Sequence, residues 1–243
     1  MRIVSYNIRK ARGFDQRRNP GRILDVINSL QGDIVVLQEA DKRLGPRRAA
    51  LPRAFVEANS DYTVAPVAQN DVSLGWHGNA VLLRDGFRAR CIRHLALPGL
   101  EPRGAVRLDI DGRVAFSLVA THLGLRRRDR RAQQAVINAA VPASARAVVA
   151  GDFNEWSQKK GLEPFADRFS VFGPGRSYPA RSRLAALDRF ALSPGVVLKD
   201  AGVEAGALAK RASDHLPIWG ELAFVAMPED VATQYSKAKD LAH

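Results

Sequence analysis

The sequence predicts one α/β domain whose sheets are not purely parallel. Three features predict it: nine short apolar runs, two stretches of helical spacing between them, and an Asp-Gly turn joining two adjacent runs. The runs are RIVSYNI (2–8), DIVVLQE (33–39), TVAPVA (63–68), NAVLLR (79–84), AVRLDI (105–110), VAFSLVATHL (114–123), AVVAGDF (147–153), RFALS (189–193) and LPIWGELAF (216–224). Short segments rich in Val, Ile, Leu and Ala suit strands buried on one or both faces. Between the first two runs, Ile23, Leu24, Ile27 and Leu30 form a helical stripe, with Pro20 fit for the first turn and Gly32 for the stop. The stretch 128–141, closed by Pro142, is the second helix. The DIDGR segment predicts a hairpin between the runs near 105 and 122. Cys91 falls in an ordinary strand position, and GPGRSYPARSR (173–183) reads as a long loop. One domain is expected over 1–225, with a polar tail or terminal helix over 226–243.

Composition narrows the function classes. The 243 residues are 46% hydrophobic, enough for a large core, and no apolar run is long enough to cross a bilayer. A single cysteine excludes an internal disulfide framework and a multi-thiolate zinc site. No basic-then-apolar leader opens the sequence, so a cytoplasmic protein is expected. The net charge of +12 comes mostly from 29 Arg against 8 Lys, and the guanidinium fork matches phosphate. The same excess also describes a plain solvated basic surface.

The informative pattern is what stands where the runs stop. Asn7, Glu39, His122, Asp152 and Asn154 close apolar runs, while Asp188, Asp214 and His215 open them. Polar groups at the ends of buried strands are held on a rigid scaffold at a sheet rim, where α/β proteins build sites. Each alone could cap a turn or sit satisfied in a core; their joint occurrence points to one mouth. Four carboxylates converging there (Glu39, Asp152, Asp188, Asp214) would need compensating positive charge. Oxygen donors without thiolates match the hard ions Mg²⁺ or Mn²⁺, and phosphoryl chemistry is the usual use of such a set.

At this point the chain resembles the endonuclease/exonuclease/phosphatase superfamily, also called deoxyribonuclease I-like. The blocks SYNIR, VVLQE, GNAVLLR, EPRGAV, THL, GDFN, LDRF and SDHLPI appear in family order over roughly residues 2–224. The resemblance implies a four-layer sandwich, two mixed, mostly antiparallel sheets face to face with helices outside, and metal-dependent hydrolysis of a phosphate ester. It implies Glu39 as principal metal ligand, with Asn7 and Asp214 completing the shell. His215 would face the phosphate, oriented by Asp188, while Asp152 and Asn154 position or deprotonate water. His122 and Arg103 would offset developing charge. Asp152 is favoured as general base because a His paired to an Asp is better kept as a cation. The basic Arg9, two places after Asn7, departs from the abasic-site nucleases, which carry an acidic residue there; His122 in THL, where those enzymes show Tyr, moves the likeness toward the deoxyribonuclease I, sphingomyelinase and inositol-phosphatase branches.

For substrate, Asn79, Arg103, Arg126 and Tyr178 are the candidate contacts. The block GLRRRDRRAQQ places cations at a helix start, against the dipole, so local stability explains it poorly; attraction of a polyanion and a plain solvated face are its two readings. Tyr178 could stack on a base or simply pack, and Trp76 and His77 lie on another rim loop. A phosphodiesterase or nuclease reading therefore leads, with nucleic acid as the partner. A phospholipid or inositol-phosphate hydrolase is the alternative, set behind because no long apolar, aromatic-rich insertion is visible. A catalytically silent nucleic-acid-binding module on the same fold is the reading from another class.

Overall fold

The computed structural model describes residues 1–158 and 160–226. The expected tail lies, from residue 227 onward, outside the described residues. In chain order the elements are β1 (Arg2–Asn7), α1 (Pro20–Leu30), β2 (Ile34–Gln38), α2 (Arg53–Asn59), β3 (Tyr62–Val64), β4 (Ala80–Arg84), β5 (Arg88–Leu97) and β6 (Arg103–Asp111). There follow β7 (Phe116–His122), α3 (Arg127–Ala140), β8 (Ala147–Asp152), α4 (Glu163–Ala166), β9 (Ser170–Phe172), β10 (Asp188–Leu192), β11 (Val196–Val203), α5 (Ala207–Ala212) and β12 (Ile218–Phe224).

The strands form two six-stranded sheets, ordered β11-β12-β1-β2-β4-β3 and β5-β6-β7-β8-β10-β9. The pairs β1–β2 and β7–β8 are parallel, bridged by the crossovers through α1 and α3, while the other pairs are antiparallel. Alternation along each strand fixes the layers. Ile3, Ile34 and Val36 meet Val106, Leu118, Val148 and Phe190 between the sheets. Val4, Tyr6, Val35 and Leu37 pack outward beneath α1, and Val119, Val149 and Ala191 pack outward with Ile137 of α3 and Phe165 of α4. Both faces of each central strand are thus dry, which is why the sequence shows unbroken apolar runs rather than alternation. This is the expected four-layer sandwich.

Local signals are honoured with adjustments. Asn19 Oδ1 accepts the Arg22 N–H at 2.9 Å and caps α1, which buries Ile23, Leu24, Ile27 and Leu30. The stop of α1 falls on Gln31 in the left-handed region (φ 51°), not on Gly32. Gly32 is required for space instead, since a Cβ there would come 2.8 Å from Val4 Cγ2. The run 63–68 is a strand only as far as Val64, because Pro66 cannot donate to a ladder. The Asp-Gly hairpin joins β6 and β7.

The alternation that fills the core also makes the site. Ile3 and Ser5 lead on the inner face to Asn7, Ile34 and Val36 to Gln38, Leu118 and Ala120 to His122, Val148 and Ala150 to Asp152, and Leu192 and Phe190 to Asp188. At one end, therefore, the apolar inter-sheet layer gives way to a polar mouth.

Candidate active site

Asp152, the last residue of β8, is the centre of that mouth. Its Oδ2 accepts a hydrogen bond from Asn7 Nδ2 at 3.1 Å and faces His122 Nε2 at 3.4 Å and His215 Nε2 at 3.6 Å; all four residues are buried. Its Oδ1 accepts the Asn154 backbone N–H at 2.9 Å. β7 and β8 approach closely enough at this point that a Cβ on Gly151 would lie 1.8 Å from the Thr121 carbonyl oxygen, so the residue preceding Asp152 must be glycine. His215 Nδ1–H donates to Asp188 Oδ2 at 2.9 Å, and the same oxygen accepts Ser177 Oγ–H at 2.5 Å.

The two histidines are driven apart in charge. Burial alone would lower the His215 pKa, but the carboxylates of Asp188 and Asp152 and the Asp188 hydrogen bond outweigh it and raise the ring to about 10. Burial also dominates at His122, where Asp152 compensates only in part and nearby Arg103 and His215 oppose a further charge, leaving the pKa at about 3. At neutral pH the site holds one imidazolium and one neutral imidazole.

Two further carboxylates flank this centre. Ile8 donates to the Gln38 carbonyl at 3.0 Å, and the following turn brings Lys10 Nζ onto Glu39 Oε2 and Arg9 Nε to 3.2 Å from Asp214 Oδ2. Asn7 Oδ1 accepts the Arg9 backbone N–H at 3.1 Å, and Ser213 Oγ–H donates to the Asn7 carbonyl at 2.7 Å. Glu39 takes a left-handed turn (φ 52°), with Gly78 against its backbone, and so leaves the line of β2 toward a cleft it shares with Lys10, Arg47, His77, Arg103 and His122. A cavity of about 450 Å³ near Met1, Phe87 and Phe224 carries Asp33, Asp85 and Arg113 but no histidine.

Donor chemistry separates two groupings that could hold a cation. The ligand atoms of Asp152, Asp188 and His215 lie within 4.8 Å of one another. An imidazolium, however, has two N–H groups and no lone pair to offer a metal. Glu39 and Asp214 offer half-buried carboxylate oxygens, each already meeting a cationic side chain, Lys10 and Arg9, and Asn7 offers a buried amide oxygen that accepts the Arg9 N–H. That donor set fits a hard divalent ion.

The remaining sequence-predicted residues divide. Arg103 lines the cleft, its Nε 3.0 Å from Glu101 Oε2. Tyr178 packs its ring 4.7 Å from that of His215. Asn154 donates its side-chain amide to the Leu123 carbonyl at 2.8 Å, tying the loop after β8 to that after β7. Asn79 is buried and donates to the Gly104 carbonyl at 2.9 Å, linking the two sheets. Arg126 is exposed just before α3. The basic block is corrected in part: Arg127 and Arg130 are held by buried Glu155, at 2.8 and 2.7 Å, so local ion pairing accounts for two of its cations despite the dipole. Trp76 covers Gly104, where a Cβ would come 2.3 Å from its ring. Sequence reasoning missed Ser177, Ser213 and Glu155, whose hydrogen-bonding roles exist only after folding, and Trp156, which stands 59% exposed two residues beyond Asn154.

The chain is similar to known proteins in sequence and in fold. The chain is 30% identical over 253 residues to the uncharacterized protein YbhP of Escherichia coli K12, covering 91% of this chain and 95% of that protein. Its fold matches the endonuclease/exonuclease/phosphatase of Beutenbergia cavernae (TM-score 0.74, 21% identity, covering 94% of this chain and 72% of that one). It likewise matches a mannosyl-6-phosphatase of Bacteroides thetaiotaomicron (TM-score 0.72, 19% identity, 92% and 100%). The Endonuclease/Exonuclease/phosphatase family profile aligns with residues 4–215, from within β1 to His215, and the chain belongs to that family.

Proposed function

We propose that the protein is a divalent-metal-dependent phosphodiesterase that hydrolyses a polyanionic substrate by in-line attack of water. The observation that carries this reading is the convergence of Asn7, His122 and His215 on one oxygen of Asp152, with Asp188 behind His215. Glu39, Asn7 and Asp214 would hold Mg²⁺ or Mn²⁺, which when bound supplies Lewis-acid stabilisation of charge on the phosphoryl oxygens.

The chain's own groups take the other roles. With His215 already protonated, Asp152 is the acceptor at the centre, so it takes the proton of the attacking water. Asn7 and the Asn154 backbone N–H fix that carboxylate. His215, kept cationic by Asp188, faces the phosphate and offsets its growing charge, and Arg103 adds a second fixed cation from the cleft wall. His122 is neutral and contributes a hydrogen bond rather than a charge.

Purified protein should hydrolyse bis-p-nitrophenyl phosphate with Mg²⁺ or Mn²⁺, and Asp152→Asn or His215→Ala should lower kcat by about 10²–10⁴-fold. Activity surviving both substitutions, or surviving Glu39→Gln undiminished, removes the proposed site. Nucleic acid and phospholipid are the two substrate readings; the exposed Leu44, Leu100, Leu125, Leu184 and Trp156, on loops that border the strand ends carrying the site, favour the second.

A further inference from the structure

The five most exposed large apolar side chains among the described residues are Leu44, Leu100, Leu125, Leu184 and Trp156, each 59–85% exposed; the other four exposed ones reach only 36–45%. All five stand on loops at the active-site end. Leu44 follows Glu39 out of β2, Leu100 sits just before Arg103 on the β5–β6 loop, and Leu125 follows His122. Trp156 follows Asn154, and Leu184 lies on the loop that enters β10 at Asp188. Three of the backbones are held: Leu100 N–H donates to Asp129 Oδ2 at 3.1 Å, Leu125 N–H to Glu101 Oε2 at 3.3 Å, and Leu184 N–H to the Tyr178 carbonyl at 2.8 Å. The Trp156 ring stands edge-on to Tyr178 at 6.1 Å, and Tyr178 in turn packs against His215. Fixed loops thus hold these side chains in water.

Lys42, Arg43, Arg126 and Arg181 are exposed on three of the same loops, and Arg128 is exposed in the first turn of α3. A single protruding apolar side chain needs no explanation, but five on loops at one mouth, three of them beside exposed cations, do. Aliphatic side chains gain nothing from a phosphate backbone and cannot stack on bases, whereas at a lipid headgroup boundary they leave water while the cations meet anionic lipid. We propose that this rim docks on an anionic bilayer, so that the phosphodiester delivered to Asp152 and His215 is that of a lipid headgroup. The substrate half rests on the hydrolase reading above; the docking half does not.

The test is sedimentation of the full chain with phosphatidylcholine vesicles, with and without phosphatidylglycerol, in the presence of a chelator so that no turnover is needed. The expected result is binding to the anionic vesicles, weakened about tenfold or more in Leu44→Ser/Leu184→Ser. That variant should hydrolyse bis-p-nitrophenyl phosphate at the wild-type rate. Tryptophan emission should shift to the blue on binding in the wild type and not in Trp156→Phe. No binding, binding indifferent to the leucine substitutions, or a loss of single-stranded DNA affinity in the leucine variant that exceeds its loss of vesicle affinity overturns the docking surface. Vesicle binding with bis-p-nitrophenyl phosphate turnover but no headgroup release overturns the lipid substrate. Vesicle binding without any turnover overturns the hydrolase reading and leaves the docking surface standing.

Discussion

Asp188 and Asp152 act on His215 from opposite sides, one through Nδ1 at 2.9 Å and the other facing Nε2 at 3.6 Å. Because they raise the ring to about 10 against the cost of burial, the imidazolium persists through neutral pH and is lost as pH rises through that value. kcat/KM should therefore fall on the alkaline side. In Asp188→Asn, where one of the two carboxylate charges is gone, the fall should begin at lower pH. Full pH–rate profiles of both proteins check this, and an alkaline limb that does not move would count against the pair. His122 shows how narrowly the difference is drawn: its ring faces the same Asp152 oxygen, but with a single carboxylate partner burial wins and it stays neutral.

At the scale of elements, the loops after β7 and β8 are joined by a buried ionic bridge. Arg130 of α3 donates to the Gly124 and Leu125 carbonyls and to Glu155 Oε2, while Arg127 pairs with Glu155 and Arg189 donates to its carbonyl. Glu155→Gln leaves Arg130 buried without its counter-charge, an expected loss of about 3–5 kcal/mol, readable as a lower denaturant midpoint. Burial tends to raise the Glu155 pKa, but its arginine partners and the Ser157 N–H lower it to about 2 from a model-peptide value of 4.5. The contribution is therefore fully present above 4.5 and lost as pH falls toward 2. The stability gap between wild type and Glu155→Gln should close over that window. Gly151→Ala forces β7 and β8 apart beside Asp152 and should cost about 3 kcal/mol, checked by thermal unfolding.

For the whole molecule, the two sheets carry the same device, a parallel pair bridged by a helix, and their polar strand ends meet at one mouth. If Glu39 holds a divalent ion there, added Mg²⁺ or Mn²⁺ should raise the melting temperature of the wild type and not of Glu39→Gln. A chelator should abolish turnover while leaving the protein folded. An equal rise in both proteins would place the ion elsewhere. Among the described residues no helix is long and apolar enough to cross a membrane.

The sequence by itself determined the α/β class, most of the central strands, helices α1 and α3, and the polar residues that end on the inner face, because a strand dry on both sides has no choice but continuous apolar residues. Elements without that burden were illegible: α2, α5 and β9 are short, and β11 carries Lys199 and Asp200 through a register shift. Only the tertiary structure decided which polar groups touch. Asn7, Asp152 and His215 lie far apart along the chain, and their contacts follow from sheet order and register, which no local pattern encodes. The same holds for the apolar rim, whose five members come from five loops and form a surface only when those loops are brought to one end.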